Sequence, residues 1–283
     1  MRLISFRLDG QERYGVVSGS GVIDMSARLG ARAPTLRDAI AAGCLDEMKQ
    51  LAENDAADCN LDDIEFALPI PRPQKILCAG RNYRAYHEVV EEGNAPKFPS
   101  IFSRLASSFA AHGQAILKPK AGDQLDYEGE LVAVIGARGR HVPQDQALSY
   151  VAGYTCMNEG TVRDWMKRGT QNTPAKNFYR SGSIGPWITT ADEVGDPSRL
   201  HITTRRNGVV VQDGDTDMMI FDLPYLIAHI SKFTWLEPGD MIATGSPGGS
   251  IIESDTPDWL KPGDALEVEI SGVGALANPI EAE

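Results

Sequence analysis

The stretch "DQLDYEGELVAVIGARG", residues 123–139, places two glutamates, Glu128 and Glu130, at the beginning of an apolar run typical of a β-strand. Side chains alternate between the faces of a strand, so both glutamates are predicted to project from the same face. The following "LVAVIG" is apolar throughout, which indicates burial on both faces. Two carboxylates this close repel each other unless a cation lies between them. The pattern favours a cation site at the rim of a cavity, the alternative being a solvated edge strand whose charges deter aggregation.

A second β-like run, "YVAGYTCMNEGTVRDW", places Glu159 where a third ligand would be needed. Carboxylate oxygens are the ligands preferred by hard divalent cations such as Mg²⁺ or Mn²⁺. Arg163 and Asp164 follow closely in the chain. We interpret them either as an ion pair that orients Glu159 or as a plain structural salt bridge.

The remaining pattern predicts a β-rich α+β protein. Residues 1 to about 70 read as a small α+β domain, with a strand pair turning at Asp9-Gly10 followed by two helical segments, "TLRDAIAAG" and "LDEMKQLAEN". The three prolines of "ALPIPRPQK" favour a domain boundary near residue 70. Residues 71–283 show many short β-like runs between glycines and prolines. Within them, "DLPYLIAHISKF" has clear helical spacing.

Composition restricts the classes of partner. The 283 residues include 39 acidic and 27 basic side chains, and the net charge of −12 argues against binding to nucleic acid or to an anionic membrane. A small anionic substrate then requires positive charge supplied locally. No apolar run is long enough to span a bilayer, and the first residues lack the apolar core of a signal peptide, so we expect a cytoplasmic protein. The four scattered cysteines indicate reduced thiols rather than a disulfide or zinc framework.

The chain resembles the fumarylacetoacetate hydrolase superfamily, especially its short bacterial members. The resemblance covers roughly residues 70–280 and rests on "GRNYRAYHE", "YEGE", "NEGTVRD", "TPAKNF", "GPWITTADE", "RRNGVVVQDGDTDMM", "PGDMIATGSPGG" and "KPGDALEVEISGVGALANP". It implies a catalytic domain of mixed β-roll type, usually homodimeric, with Mg²⁺ or Mn²⁺ bound by Glu128, Glu130 and Glu159. One departure is Glu159, since most members of the family carry aspartate at that position.

The resemblance also implies roles for other side chains. Lys176 would position substrate and stabilise oxyanion charge. The predicted substrate-binding residues are Arg81, for a carboxylate, together with Tyr83, Gln212 and Thr244. His87 would activate water with a glutamate partner, Glu91 being its i+4 neighbour on a helix and Glu88 and Glu92 the alternatives. His87 lies one position later than in the common family pattern.

These assignments predict a metal-dependent hydrolase that cleaves a C–C bond in an acylpyruvate, such as fumarylpyruvate or maleylpyruvate from aromatic catabolism. The first alternative keeps the fold and the metal but changes the reaction to decarboxylation, isomerisation, hydration or sugar-acid dehydration. The second alternative is a metabolite-binding protein without catalytic activity.

Overall fold

The computed structural model describes residues 1–84, 96–166 and 168–283. The strands β1 to β19, in chain order, are Arg2–Leu8, Gln11–Ser18, Gly21–Asp24, Cys59–Asn60, Glu65–Phe66, Ile76–Gly80, Ser100–Arg104, Phe109–Ala110, Ile116–Lys118, Leu125–Asp126, Gly129–Ile135, Val151–Asn158, Thr161–Val162, Gly182–Thr190, His201–Arg206, Val209–Asp215, Met241–Ala243, Ala265–Ile270 and Gly274–Ala282. The helices α1 to α7 are Met25–Leu29, Leu36–Ala41, Leu45–Asn54, Arg163–Met166, Thr173–Lys176, Ala191–Val194 and Leu223–Phe233.

Most strands belong to two mixed sheets, which confirms the β-rich α+β prediction. The larger sheet has the order β4-β3-β2-β1-β14-β12-β11-β17-β6-β7, with β5 paired to β1 and β8 paired to β14. The smaller sheet has the order β16-β15-β18-β19-β9, and β10 and β13 form a separate pair. Helix α7 fully buries two residues of its predicted apolar face, Leu226 and Ile230, but the third, Phe233 at the end of the helix, is 55% exposed. None of the described helices is long and apolar enough to cross a membrane.

The N-terminal region folds as its sequence predicts. Strands β1 and β2 pair antiparallel, and the turn between them places Asp9 at φ 52° and Gly10 at φ 76°. Two consecutive residues with positive φ match the twist of a tight hairpin, which explains the Asp-Gly sequence there. The predicted helical segments form α2 and α3.

The large sheet is continuous across the predicted boundary at residue 70. Strand β1 pairs with β14, aligning Leu3 with Ile188. Both residues lie in one hydrophobic core that also includes Met48, Ile76 and Val132. The first 70 residues therefore share a sheet and a core with the rest of the described chain. The division into two domains stays a prediction.

The centre of the large sheet positions the acidic residues. Strand β11 lies between β12 and β17, and every one of its residues is buried, so the solvated edge-strand alternative is excluded. The antiparallel register aligns Gly129 with Asn158. As a result, the residues flanking this pair, Glu128 and Glu159, meet at the same end of the sheet, and the Glu159 amide donates to the Glu128 carbonyl at 2.7 Å.

Candidate active site

A buried lysine links the two flanking glutamates. Lys176, at the end of the short helix α5, donates through Nζ to Glu128 Oε2 at 2.5 Å and to Glu159 Oε2. Only 5% of the lysine side chain is exposed, and its ammonium lies 5.2 Å from the centre of the Phe102 ring. A lysine in a loop is normally solvated, so burial between two carboxylates marks Lys176 as a residue held for a specific purpose.

Two arginines complete the arrangement. Arg104 Nη1 donates to Glu159 Oε1 at 3.1 Å. Arg163 Nε donates to Asp126 Oδ2 at 2.7 Å, and its Nη2 lies 3.0 Å from Glu128 Oε1. The predicted Arg163-Asp164 ion pair is therefore wrong, because Arg163 turns inward to the carboxylates that precede β11. We call the following residues the charge cluster: Asp126, Glu128, Glu130, Glu159, Lys176, Arg104 and Arg163.

The carboxyl groups of the charge cluster have different proton affinities. Burial favours the neutral form of Glu128, but Lys176 and Arg163 outweigh it and hold its pKa well below the usual range. Burial, reinforced by the negative charges of Glu159 and Glu128, raises the pKa of Glu130 well above its ordinary value. Burial also raises the pKa of Glu159, although Lys176 opposes that change. For Lys176, burial is outweighed by Glu128 and Glu159, so its pKa is raised and it remains an ammonium ion.

The loop after β17 forms the other side of the site. The Gly245 amide donates to Glu130 Oε2 at 2.8 Å, and Thr244 Oγ1 donates to the Leu131 carbonyl at 3.0 Å. The hydroxyl of Tyr83 lies 3.2 Å from Thr244 Oγ1, and both residues are buried. The structure thus brings two of the predicted substrate-binding residues together, next to the loop that contacts Glu130.

The other two predicted substrate-binding residues are placed differently. Gln212 is 2% exposed; its Oε1 accepts from the Gly129 amide at 2.9 Å, and its Nε2 donates to Ser246 Oγ and the Pro247 carbonyl. It therefore ties β16 to the start of β11. Arg81 is exposed and has φ 53°, a conformation that is uncommon for a residue other than glycine. Their substrate-binding roles stay predictions.

The predicted water-activating residues His87 and Glu91, with the alternatives Glu88 and Glu92, lie outside the described residues. The other four histidines, His112, His141, His201 and His229, are described and lie apart from the charge cluster's contacts. His201 bridges Asp213 and Asp215 on the exposed side of the small sheet.

The charge cluster fits a hard divalent cation in its chemistry and in its charge. Its four carboxylates supply oxygen ligands and have three cationic side chains as partners, which leaves one negative charge uncompensated. Among the described residues Glu130 has no cationic partner and accepts from the Gly245 amide, so the uncompensated charge lies on Glu130 when this carboxyl is ionised, in agreement with its raised pKa. Within the described ranges, no three His, Cys, Asp or Glu side chains are grouped to hold a metal ion. Coordination by Glu128, Glu130 and Glu159 together would require the Lys176 ammonium to leave the space between Glu128 and Glu159.

Comparison with known proteins identifies the family. The model of the fumarylacetoacetate hydrolase C-terminal family matches residues 75–281, which include every member of the charge cluster. The chain belongs to this family. The fumarylacetoacetate hydrolase fold expected from the sequence is confirmed by a hydrolase from Exiguobacterium antarcticum, with a TM-score of 0.84 and 31% identity over the full length of both chains.

Relatives in the fumarylacetoacetate hydrolase family carry names for several reactions. A mitochondrial oxaloacetate tautomerase of Xenopus laevis is 34% identical over 99% of this chain and 90% of its own length. The oxaloacetate tautomerase YisK of Bacillus subtilis is 37% identical over 78% of this chain and 74% of its own. A maleylpyruvate hydrolase of Sphingobium, solved with manganese(II) and pyruvate, has a TM-score of 0.83 and 28% identity, covering 100% of this chain and 99% of its own. Members of this family are enzymes, and the reaction differs among them.

Three residues of the site were not singled out from the sequence. They are Arg104, Asp126 and Thr161, whose hydroxyl donates to Glu128 Oε2 at 2.6 Å. The sequence contains one indication of Arg104, since a charged residue directly follows "SIFS" at the end of a β-like run. It does not indicate the partners of that residue. Thr161 and Asp126 lie within quoted motifs, and only the pairing of β10 with β13 brings them next to Glu128.

Proposed function

We propose that the protein is a keto–enol tautomerase that acts on a 2-oxo dicarboxylic acid, with oxaloacetate as its substrate. The observation that carries the proposal is the Lys176 ammonium, buried and held between Glu128 and Glu159. A buried cation stabilises negative charge on an enolate oxygen far better than a solvated one does. Relatives named oxaloacetate tautomerases that align over as much as 99% of the chain support the choice of substrate.

Tautomerisation moves one proton between C3 and the oxygen on C2 and breaks no C–C bond. In this proposal Lys176 orients the C2 oxygen and stabilises its charge. On the other side of the site, the Thr244 hydroxyl donates to the Leu131 carbonyl and can accept from Tyr83, so the Tyr83 hydroxyl is the donor of this pair that could turn to the substrate. Arg81 pairs with a substrate carboxylate, and its strained backbone agrees with a functional constraint.

A divalent cation, Mg²⁺ or Mn²⁺, is the proposed cofactor, and Glu128, Glu130 and Glu159 would hold it. When bound, such an ion polarises the adjacent oxygens of a 2-oxo acid as a Lewis acid. The relative solved with manganese(II) and pyruvate supports this assignment. The feature of this chain that favours it is the buried carboxyl group of Glu130, which has no cationic partner among the described residues.

The test of this function follows the ultraviolet absorbance of enol-oxaloacetate after it is mixed into buffer with the purified protein. We expect the enol to convert to the keto form faster than it does spontaneously, chelation to abolish the acceleration, and Mg²⁺ or Mn²⁺ to restore it. Pyruvate is measured in the same samples, because decarboxylation would release it. An enol decay equal to the spontaneous rate at micromolar protein with added Mn²⁺ would refute the tautomerase.

The second candidate is hydrolysis of a C–C bond in an acylpyruvate, favoured by the structural match to maleylpyruvate hydrolase. Hydrolysis requires a water molecule to be deprotonated near neutral pH, and His87 with Glu91 is the pair predicted for this step. We therefore predict that His87→Ala lowers the hydrolytic kcat on an acylpyruvate by about 10² or more, with Mn²⁺ affinity unchanged. Retention of more than about a third of the turnover would show that His87 does not activate the water, because removing a general base typically costs 10² or more.

We also propose a homodimer. Both sheets end in strands with open edges, and exposed apolar side chains lie on or beside them, namely Leu105 after β7 and Val209 and Val210 on β16. Open edges with apolar side chains are stabilised when a second copy covers them. Sedimentation at micromolar concentration is expected to give twice the chain mass of 30.7 kDa. A monomer under those conditions contradicts the proposal.

A further inference from the structure

Arg104, the last residue of β7, contributes a fully buried guanidinium to the charge cluster. Its side chain is 0% exposed, and its Cζ lies 4.2 Å from the centre of the Phe109 ring. Nε donates to Ser108 Oγ at 3.1 Å. Nη2 donates to the Ser108 carbonyl at 3.3 Å and to Ser181 Oγ at 3.2 Å. Nη1 donates to the Gly160 carbonyl and to Glu159 Oε1, both at 3.1 Å. Contacts on all three nitrogens fix both the place and the rotation of this group.

Two glycines bring the backbone into close contact around the guanidinium. A Cβ at Gly160 would lie 1.9 Å from the Ser181 carbonyl oxygen. A Cβ at Gly182 would lie 2.6 Å from the Asn158 carbonyl oxygen and 3.2 Å from Arg104 Nη1. The ends of β12 and β14 therefore approach so closely that only glycine fits at either position. This close backbone approach encloses the Nη1 side of the guanidinium.

Glu159 contacts this fixed group with one oxygen and the site with the other. Its Oε1 accepts from Arg104, and its Oε2 accepts from Lys176. The length of the glutamate side chain makes both contacts possible from one backbone position. An aspartate would be shorter by one C–C bond, about 1.5 Å, and could not keep both contacts while the guanidinium stays in place.

We propose that Arg104 is a positioning residue, which holds Glu159 by Oε1 so that Oε2 is the oxygen presented to Lys176 and to a bound cation. The inference rests on the proposed function, because it assigns Glu159 to the metal-binding and substrate-binding site. Arg104 is not among the proposed metal ligands or substrate-binding residues and acts through the carboxylate of Glu159. Groups that orient a ligand in this way typically contribute 10- to 100-fold to metal affinity.

The experiment is a double-mutant cycle with Arg104→Lys, Glu159→Asp and both changes together, measured by calorimetric titration of the full chain with Mn²⁺. Lysine keeps the positive charge but cannot reproduce the contacts of the guanidinium. We expect Arg104→Lys to weaken Mn²⁺ binding by about 10-fold or more, mainly by loss of orientation. Because Glu159→Asp breaks the same contact, we expect the double variant to bind Mn²⁺ little more weakly than the single variant with the lower affinity.

Two further variants separate positioning from general stability. Arg13→Lys is the matched control, since Arg13 Nη1 pairs with the buried Asp24 at 2.9 Å in the N-terminal region, and we expect unchanged Mn²⁺ affinity. Ser181→Ala removes one hydrogen bond that fixes the guanidinium and leaves all charges intact. We expect it to weaken Mn²⁺ binding in the same direction by a smaller factor, and it provides the test if Arg104→Lys does not fold.

The outcomes distinguish this inference from the proposed function. Mn²⁺ affinity within about twofold of wild type in both Arg104→Lys and Ser181→Ala overturns the positioning role, since such groups usually contribute ten times or more. Strictly additive losses in the cycle also overturn it. If the wild-type protein binds Mn²⁺ but lacks tautomerase activity, and the variants show the coupling between Arg104 and Glu159, the proposed reaction is refuted and the role of Arg104 is supported. A wild-type protein that binds no Mn²⁺ overturns both.

Discussion

Two triplets in which a cation lies between two carboxylates, one in the N-terminal region and one in the charge cluster, occupy different environments. In the N-terminal region Arg28 contacts Asp55 and Asp58, both at 2.7 Å, and these side chains are between 22% and 42% exposed. In the charge cluster Lys176 contacts Glu128 and Glu159, and these side chains are between 2% and 17% exposed. The two triplets have the same net charge and similar geometry, so burial is what distinguishes them.

That difference shows which triplet requires a functional explanation. An exposed ion pair contributes between zero and about 1 kcal/mol to the free energy of unfolding, and its charges lose little hydration when it forms. Buried pairs must first lose their hydration, and well-packed apolar residues are often at least as stabilising in their place. Stability alone therefore accounts for the Arg28 triplet but not for the Lys176 triplet. A buried cation held by two carboxylates is what chemistry on an anionic substrate requires.

Removal of the buried cation should have the largest effect. We predict that Lys176→Met lowers kcat by about 10² to 10³, because the variant loses a donor that stabilises oxyanion charge. The measurement is the enol-conversion rate at saturating oxaloacetate. Lys49→Met is the matched control, since Lys49 pairs with Asp192 at 3.0 Å on the surface and is expected to leave kcat unchanged. A Lys176→Met variant that keeps more than a tenth of the wild-type kcat would show that the buried triplet, like the exposed one, is not needed for catalysis.

Substitution of Glu130, which has no cationic partner among the described residues, should have the next largest effect. We predict that Glu130→Gln weakens Mn²⁺ binding at least about tenfold, or 1.4 kcal/mol, since the change removes one ligand charge. The glutamine can still accept from the Gly245 amide, so the melting temperature should change little. Glu253→Gln is the control, because Glu253 also accepts from a glycine amide, that of Gly249, at 2.9 Å. Equal Mn²⁺ affinities for both variants would argue against metal binding at Glu130.

The exposed triplet should give the smallest effect. We predict that Arg28→Ala lowers the free energy of unfolding by about 1 kcal/mol or less and leaves kcat unchanged. Hydrogen bonding to Arg28 lowers the pKa of Asp58 below its ordinary 3.8. The contribution of this pair is therefore present above that pH and is lost as the pH falls through the lowered pKa. Urea unfolding of both proteins at pH 7 and at pH 2 tests this, and a difference that persists at pH 2 would contradict it.

Local patterns predicted most of the strands, the first hairpin and the acidic residues Glu128, Glu130 and Glu159 that the structure brings into the charge cluster, and their role as metal ligands stays a prediction. Asp9-Gly10 determines its own turn, and the spacing of Glu128 and Glu130 indicates, without knowledge of the rest of the chain, that the two side chains lie near each other at the start of β11. The contacts of Arg104 and Arg163 depend instead on strands that are distant in sequence, which is why Arg104 was missed and Arg163 was assigned the wrong partner. The contacts of Gln212 were likewise not predictable. Its motif indicated a polar group near the site, but not that its Oε1 would accept from the Gly129 amide.

The pairing of β1 with β14 has a consequence for the synthesis of the protein. Residues 2 and 3 pair with residues 189 and 188, so the first strand leaves the ribosome long before its neighbour exists. At 5 to 20 residues per second the delay is about 10 to 40 s. During that time the Arg2–Leu3 end of this edge of β1 has no strand beside it, whereas Phe6 and Arg7 further along can already pair with β5, and the unpaired end is open to pairing with another nascent chain. The nascent chain is thus most prone to aggregation in the interval before Ile188 is translated.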